Sequence, residues 1–204
     1  MSEKVSPPAP LSARVSFLVR RLRLASGVVL FAFVASHLAN HAAGLISLAA
    51  IEAALGWFQK IWLNPYSSTL IYSAFAVHFL LALWAVYRRR SLLHMRAGEA
   101  IQLLVGLAIV PALALHFVGT HVAYNYFGVR VSYTYVLLYL WHLAPDKGLL
   151  QVVALLVAWV HGTMGLYFWL RLKPWFRRAQ PLLYAVALLL PVLALLGFAG
   201  AIVI

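Results

Sequence analysis

The sequence predicts an all-α protein, a helical bundle integral to a membrane, and three observations carry that prediction. Of its 204 residues, 65% are hydrophobic and 10% charged, whereas the apolar share of soluble domains stays near half. Five apolar stretches, 24–51, 61–87, 100–129, 148–170 and 179–204, lie between charged residues. Each supplies the roughly 20 residues a helix needs to cross about 30 Å of hydrocarbon. The basic residues also alternate between loops: 13 fall before the first stretch, after the second and after the fourth, and 3 (Lys60, Arg130, Lys147) fall elsewhere. That asymmetry follows the positive-inside rule and puts the N-terminus in the cytoplasm.

Taken in order, residues 1–20 form a disordered cytoplasmic tail, rich in Pro and Ser up to about Ala13. Helices are predicted at about 21–48, 67–87, 99–122, 149–170 and 182–203. The first is too long for a signal peptide, whose apolar core runs to about 15 residues. Residues 57–66, WFQKIWLNPY, read as an interfacial aromatic belt on the outer side, and 129–148, aromatic and closing on Pro145, as a short helix or re-entrant piece there. Five crossings would leave the C-terminus outside, and the chain stops at FAGAIVI without a polar anchor. We read it as a fragment of something longer, in which a sixth crossing must precede any cytoplasmic domain.

Several function classes drop out. With no cysteine there are no disulfides, iron–sulfur clusters, thiolate ligands or covalently attached c-type haems, so any metal is held by nitrogen or oxygen. The net charge of +12 would suit nucleic acid, but its distribution over alternate loops suits anionic lipid headgroups instead.

Eight histidines remain to be explained. His94 sits in a basic loop and His142 in the outer aromatic stretch, whereas His37, His41, His78, His116, His121 and His161 lie in or at the ends of apolar segments. Ionisable residues in a membrane are costly and mark functional sites. At 1.5 Å per residue, His78 (ten residues from Arg88) and His161 (ten from Arg171) lie about 15 Å deep. By the same rise His37, His41 and His116 lie about 21, 27 and 26 Å deep, counted from Arg23, Arg23 and Glu99.

Two levels of paired histidines on four helices suit two stacked haem b groups, each with two axial histidines. The predicted fold is thus four haem-binding helices plus at least one more transmembrane helix. His78 and His161 would hold the cytoplasmic-side haem, and His116 with His41 the outer one; depth favours His41, with His37 as the alternative. The i, i+4 spacing puts His37 and His41 on one face, so the other histidine can bond a propionate or the ligand itself. His121, Asn40 and Arg130 are further propionate candidates. Tyr124, Tyr133, Tyr135, Tyr139 and His142 could line a quinol site. Gly44, Gly106, Gly119, Gly162 and Gly165 allow close approach, and Pro111 kinks the third helix near His116.

The segments SHLANHAAGL (36–45), YSAFAVHFLLALW around His78, RRRSL (88–92), GEAIQLLVGLAIVPALALHFVGTH (98–121) and WVHGTMGLYFWLR (159–171) resemble the N-terminal membrane anchor of bacterial membrane-bound class III adenylate cyclases. Those anchors are similar to the cytochrome b subunits of succinate dehydrogenase and fumarate reductase. The resemblance implies six transmembrane helices in the bacterial inner membrane, two haem b, exchange with the quinone pool, and redox control of a cytoplasmic cyclase domain in a homodimeric parent. Where the pattern has an arginine after HFVGT, this chain has His121. An alternative is the cytochrome b anchor of a quinone-linked dehydrogenase; a third reading is a proton relay or transporter without haem.

Overall fold

A computed structural model describes residues 11–89, 94–129 and 132–200, which are helical apart from short connections, with no strand among them. Helix α1 spans Leu11–Ala42 and begins ten residues before the expected start. Nothing from 11 to 20 breaks a helix, the prolines being confined to 7, 8 and 10. A tight turn over Ala43–Leu45 follows, and the Ser47 hydroxyl then accepts the Ala50 N–H at 3.0 Å to cap α2, Leu48–Trp62. Most of the expected aromatic belt is therefore the last turn and a half of a helix. Asn64 Oδ1 accepts the N–H groups of Tyr66 and Ser67, both at 3.1 Å, and starts α3, Pro65–Tyr87, with proline at its first position.

Helix α4, Ala97–Phe117, runs through Pro111 and widens into a π turn at Val118–Val122, continued by α5, Ala123–Phe127. Gly128, at φ 65°, closes that helix with the left-handed residue a C-terminus favours. Ser132 caps α6, Tyr133–Leu138, which passes through a second π turn at Tyr139–Leu143 into α7, Pro145–Leu170. This fulfils the expectation of a short helix in that stretch. Helix α8 is Phe176–Gly200; expected residues 201–203 lie outside the described part.

Among the described residues, five helical segments are long and apolar enough to cross a membrane: 13–45, 65–87, 97–122, 145–170 and 176–200. Outward leucines fit that reading, since Leu80, Leu104 and Leu188 are 61%, 65% and 67% exposed. Helix α1 is central and packs on α3, α8, α2 and α7, while α4 packs mainly on α7. One end of the bundle is basic: there Glu99 pairs with both Arg89 and Arg96. The other is aromatic, and there Ile51, Tyr133, Leu137, Leu140 and Phe198 tie α2, α6 and α8 together. Midway, Leu38, Trp159 and Ala194 join α1, α7 and α8, and the Trp159 indole donates to the Ala187 carbonyl at 2.7 Å.

Helices α1 and α8 meet backbone to backbone. A Cβ at Gly44 would strike the Gly197 carbonyl, and one at Gly197 would strike the His41 carbonyl. A leucine at Gly197 must therefore prise α8 off the histidine-bearing segment, at about 2 to 3 kcal/mol. We expect Gly197→Leu to lower the thermal midpoint in detergent by several degrees, with Gly200→Leu, whose Cβ meets open space, as the near-neutral comparison.

Candidate functional site

His78 on α3 and His161 on α7 meet near the basic half, ring centroids 6.1 Å apart and planes at 88°. Each ring is held through Nδ1. His78 Nδ1 donates to the Arg23 carbonyl of α1 at 3.0 Å, and His161 Nδ1 donates to the Gln102 carbonyl of α4 at 3.1 Å. A carbonyl only accepts, so each Nδ1 carries the proton and each Nε2 keeps a lone pair for another partner. The Gln102 side chain doubles the contact, its Nε2 donating to the His161 carbonyl at 3.0 Å.

Nearer the aromatic end, His37 and His116 have centroids 5.8 Å apart, at 66°. His41, one turn along from His37, lies 4.5 Å from it, their Nε2 atoms at 3.2 Å. The rest of the group consists of side chains. The Tyr133 hydroxyl lies 3.2 Å from His41 Nδ1, Asn40 Nδ2 donates to the same hydroxyl, and the Gln151 side chain lies beside His116. Burial pushes the Tyr133 phenol well above its ordinary pKa, so it stays neutral and can both donate and accept. Asn40 donates to that phenol, which meets His41 Nδ1, and His37 and His41 share one Nε2–H···Nε2 hydrogen bond; with the proton on His37, its unpartnered Nδ1 keeps a lone pair.

Three buried polar atoms near these rings have no hydrogen-bond partner: His37 Nδ1, Asn40 Oδ1 and Gln102 Oε1. Beside Asn40 lies a groove of about 320 Å³, open to the surface and walled by Ser36, Trp57, Phe58, Ile61 and Trp62. Phe58 reaches from that groove to the His37 ring, 5.1 Å between centroids.

The other sequence candidates are spread out. His121 sits on the π turn after His116, stacked on Phe117 at 5.0 Å and bonded to the Tyr72 hydroxyl at 2.9 Å. The bulge that places it there is braced by Thr120, whose hydroxyl donates to the His116 carbonyl at 2.6 Å. Tyr135 stacks on Tyr139, both partly exposed, while Tyr133 is buried against His41. Arg130 lies outside the described residues. Gln102, Gln151, Ser26 and Gly27 were not singled out in the sequence. Ser26 lies 3.4 Å from His78 Nδ1, and the two glutamines are each the single amide of an apolar helix, which is the signal that could have found them.

A metal–imidazole bond is about 2 Å long and the ring centre lies about 1 Å beyond the nitrogen, so imidazoles on opposite sides of one metal atom have centres about 6 Å apart. Both histidine pairs have that separation. Among the described residues no three His, Cys, Asp or Glu side chains converge on one point, so the donors come as pairs. Paired donors suit axial ligation of a planar macrocycle, which brings its own equatorial ligands, better than a cage for a bare ion. No protein-family model matches the chain, and no match was found among curated proteins or solved structures.

Proposed function

We propose that the chain is a b-type di-haem membrane anchor that exchanges electrons with the quinone pool, lying in the bacterial inner membrane with its N-terminus in the cytoplasm. The single observation that supports this most is the pair of histidine pairs, each drawn from two helices and each at about 6 Å between ring centres. His78 and His161 would hold one haem, His37 and His116 the other. Bound haem would supply reversible one-electron transfer, and two axial histidines leave no open position for oxygen. The chain's own part is to fix those rings. Main-chain carbonyls do so at the basic level, whereas Tyr133, Asn40, His41 and Gln151 do so at the aromatic level.

The groove beside Asn40 supports quinone access. Its walls are largely aromatic and it opens to the surface, and Asn40, which lines it, keeps an unpartnered Oδ1 buried behind that wall. From the resemblance we propose that the redox state is passed to a cyclase domain in the parent chain. The second reading, the cytochrome b anchor of a quinone-linked dehydrogenase, would use the same two histidine pairs.

A pyridine haemochrome assay and an optical spectrum of the purified protein test the core of the proposal. The expected result is two b-type haems per chain, reduced by an added quinol; a purified, folded protein without Soret absorption would sink it. Cyclase activity of the parent protein that changes between reducing and oxidising conditions supports the sensor, and co-purifying flavin and iron–sulfur subunits support the dehydrogenase anchor.

Tyr133→Phe probes the aromatic level alone. It strips one partner each from Asn40 and His41 in a buried network, a loss of about 1 to 3 kcal/mol. Redox titration should show the potential of one haem displaced and the other unchanged; two unmoved potentials would separate Tyr133 from the site.

A further inference from the structure

The two helix pairs that carry the inner histidines repeat one local arrangement. On α1, the Arg23 carbonyl takes the His78 Nδ1–H, and Gly27, four residues on, faces the same ring: a Cβ there would lie 2.9 Å from Cε1 and 3.2 Å from Nδ1. On α4, the Gln102 carbonyl takes the His161 Nδ1–H, and Gly106, again four residues on, faces that ring: a Cβ there would lie 2.6 Å from Cε1 and 2.8 Å from Nδ1. In an α-helix, residues i and i+4 lie one above the other on one face, so carbonyl and glycine form a single seat one turn tall. Real Cβ atoms do not approach a ring so closely, so only glycine lets the edge of the imidazole rest on the helix while its Nδ1–H reaches the carbonyl below.

We propose that Gly27 and Gly106 are positioning residues, each with the main-chain carbonyl one turn earlier forming a seat that fixes its histidine as the Nδ1–H tautomer, with Nε2 left as the ligating atom. The inference rests on the di-haem reading for its consequence and not for its geometry. Both seats act on the inner pair. The outer pair has side-chain partners instead, which makes the inner centre the one whose ligands are oriented before any haem arrives. The seats also set the angle between the rings, 88°, and near-perpendicular axial imidazoles give a low-spin ferric haem a highly anisotropic electron paramagnetic resonance signal.

The experiment uses the whole chain in detergent, as wild type, Gly27→Ala, Gly106→Ala and, for comparison, Gly56→Ala, whose Cβ meets nothing within 4 Å. Haem per chain, the ferric resonance spectrum and the tautomers of ¹⁵N-labelled His78 and His161 in the haem-free protein are read. Each of the first two variants is expected to lower haem content from two towards one, to remove the inner haem's share of the ferric signal, and to disturb the Nδ1–H tautomer at its own histidine; Gly56→Ala matches wild type. Unchanged haem, spectrum and tautomer in both variants overturns the proposal, as does an Nε2–H tautomer at His78 or His161 in the wild type. The wild-type tautomers decide the matter even if a variant does not fold. A wild type without haem but with intact Nδ1–H tautomers, disturbed by the two alanines, removes the di-haem reading and leaves the seats standing.

Discussion

Replacing His161 with alanine is expected to leave a folded protein with one haem, against the two proposed for the wild type. The Soret band falls by half, and the haem that goes is the one that His78→Ala also removes. The two rings are 6.1 Å apart and come from α3 and α7, so neither alone completes an axial pair. The double variant should therefore lose no more than either single one, a complete non-additivity that only residues serving one centre produce. The fold is expected to survive because α7 keeps its other contacts: Trp159 stays stacked on Phe31 at 5.2 Å, and the Gln102 side chain still holds the main chain at 161. Loss of both haems from a folded His161→Ala protein, or of neither, would refute the pairing.

That His78 and His161 lie at one level was legible because depth in a membrane helix is nearly one-dimensional. A rise of about 1.5 Å per residue and two charged borders place His78 and His161 at one level without knowledge of which helices touch. The borders of α2 were not legible. Residues 24–51 carry no charge, so nothing in composition marks the tight turn at Ala43–Leu45, and a Ser47 cap buried in an apolar run gives a weak signal. The start of α1 was misjudged for the opposite reason, since a polar, proline-bearing tail hid a stretch free of breakers from 11 to 20. Tyr133 illustrates a third limit. Sequence could mark it as one of several outer aromatics, but its bond to His41 spans 92 residues and depends on how α6 folds under α2 and α8.

His37→Ala is expected to remove the second proposed haem and His41→Ala to keep both; here structure and depth counting diverge. Counted from Arg23 as a membrane border, His41 matches His116 better than His37 does. But Arg23 packs level with the His78 ring. Its carbonyl takes the His78 Nδ1–H, so it sits at the level of the inner pair, as Gln102 does by taking the His161 Nδ1–H. Measured from these two equivalent points, His37 lies 14 residues on along α1 and His116 lies 14 residues on along α4. Fourteen residues is close to four whole turns, about 21 Å, so each outer histidine is on the same face as its seat and both are at one height. The 5.8 Å between the His37 and His116 centroids agrees with that register. His41, another turn on, has its two nitrogens engaged by Tyr133 and His37, the arrangement of a supporting residue. We expect haem per chain to fall from two to one in His37→Ala and in His116→Ala, the same haem in both. In His41→Ala it should stay at two with one midpoint potential displaced, because the brace on the His37 ligand is gone. The opposite pattern, one haem in His41→Ala and two in His37→Ala, would return the ligand to His41 and show that α1 turns when the site is filled.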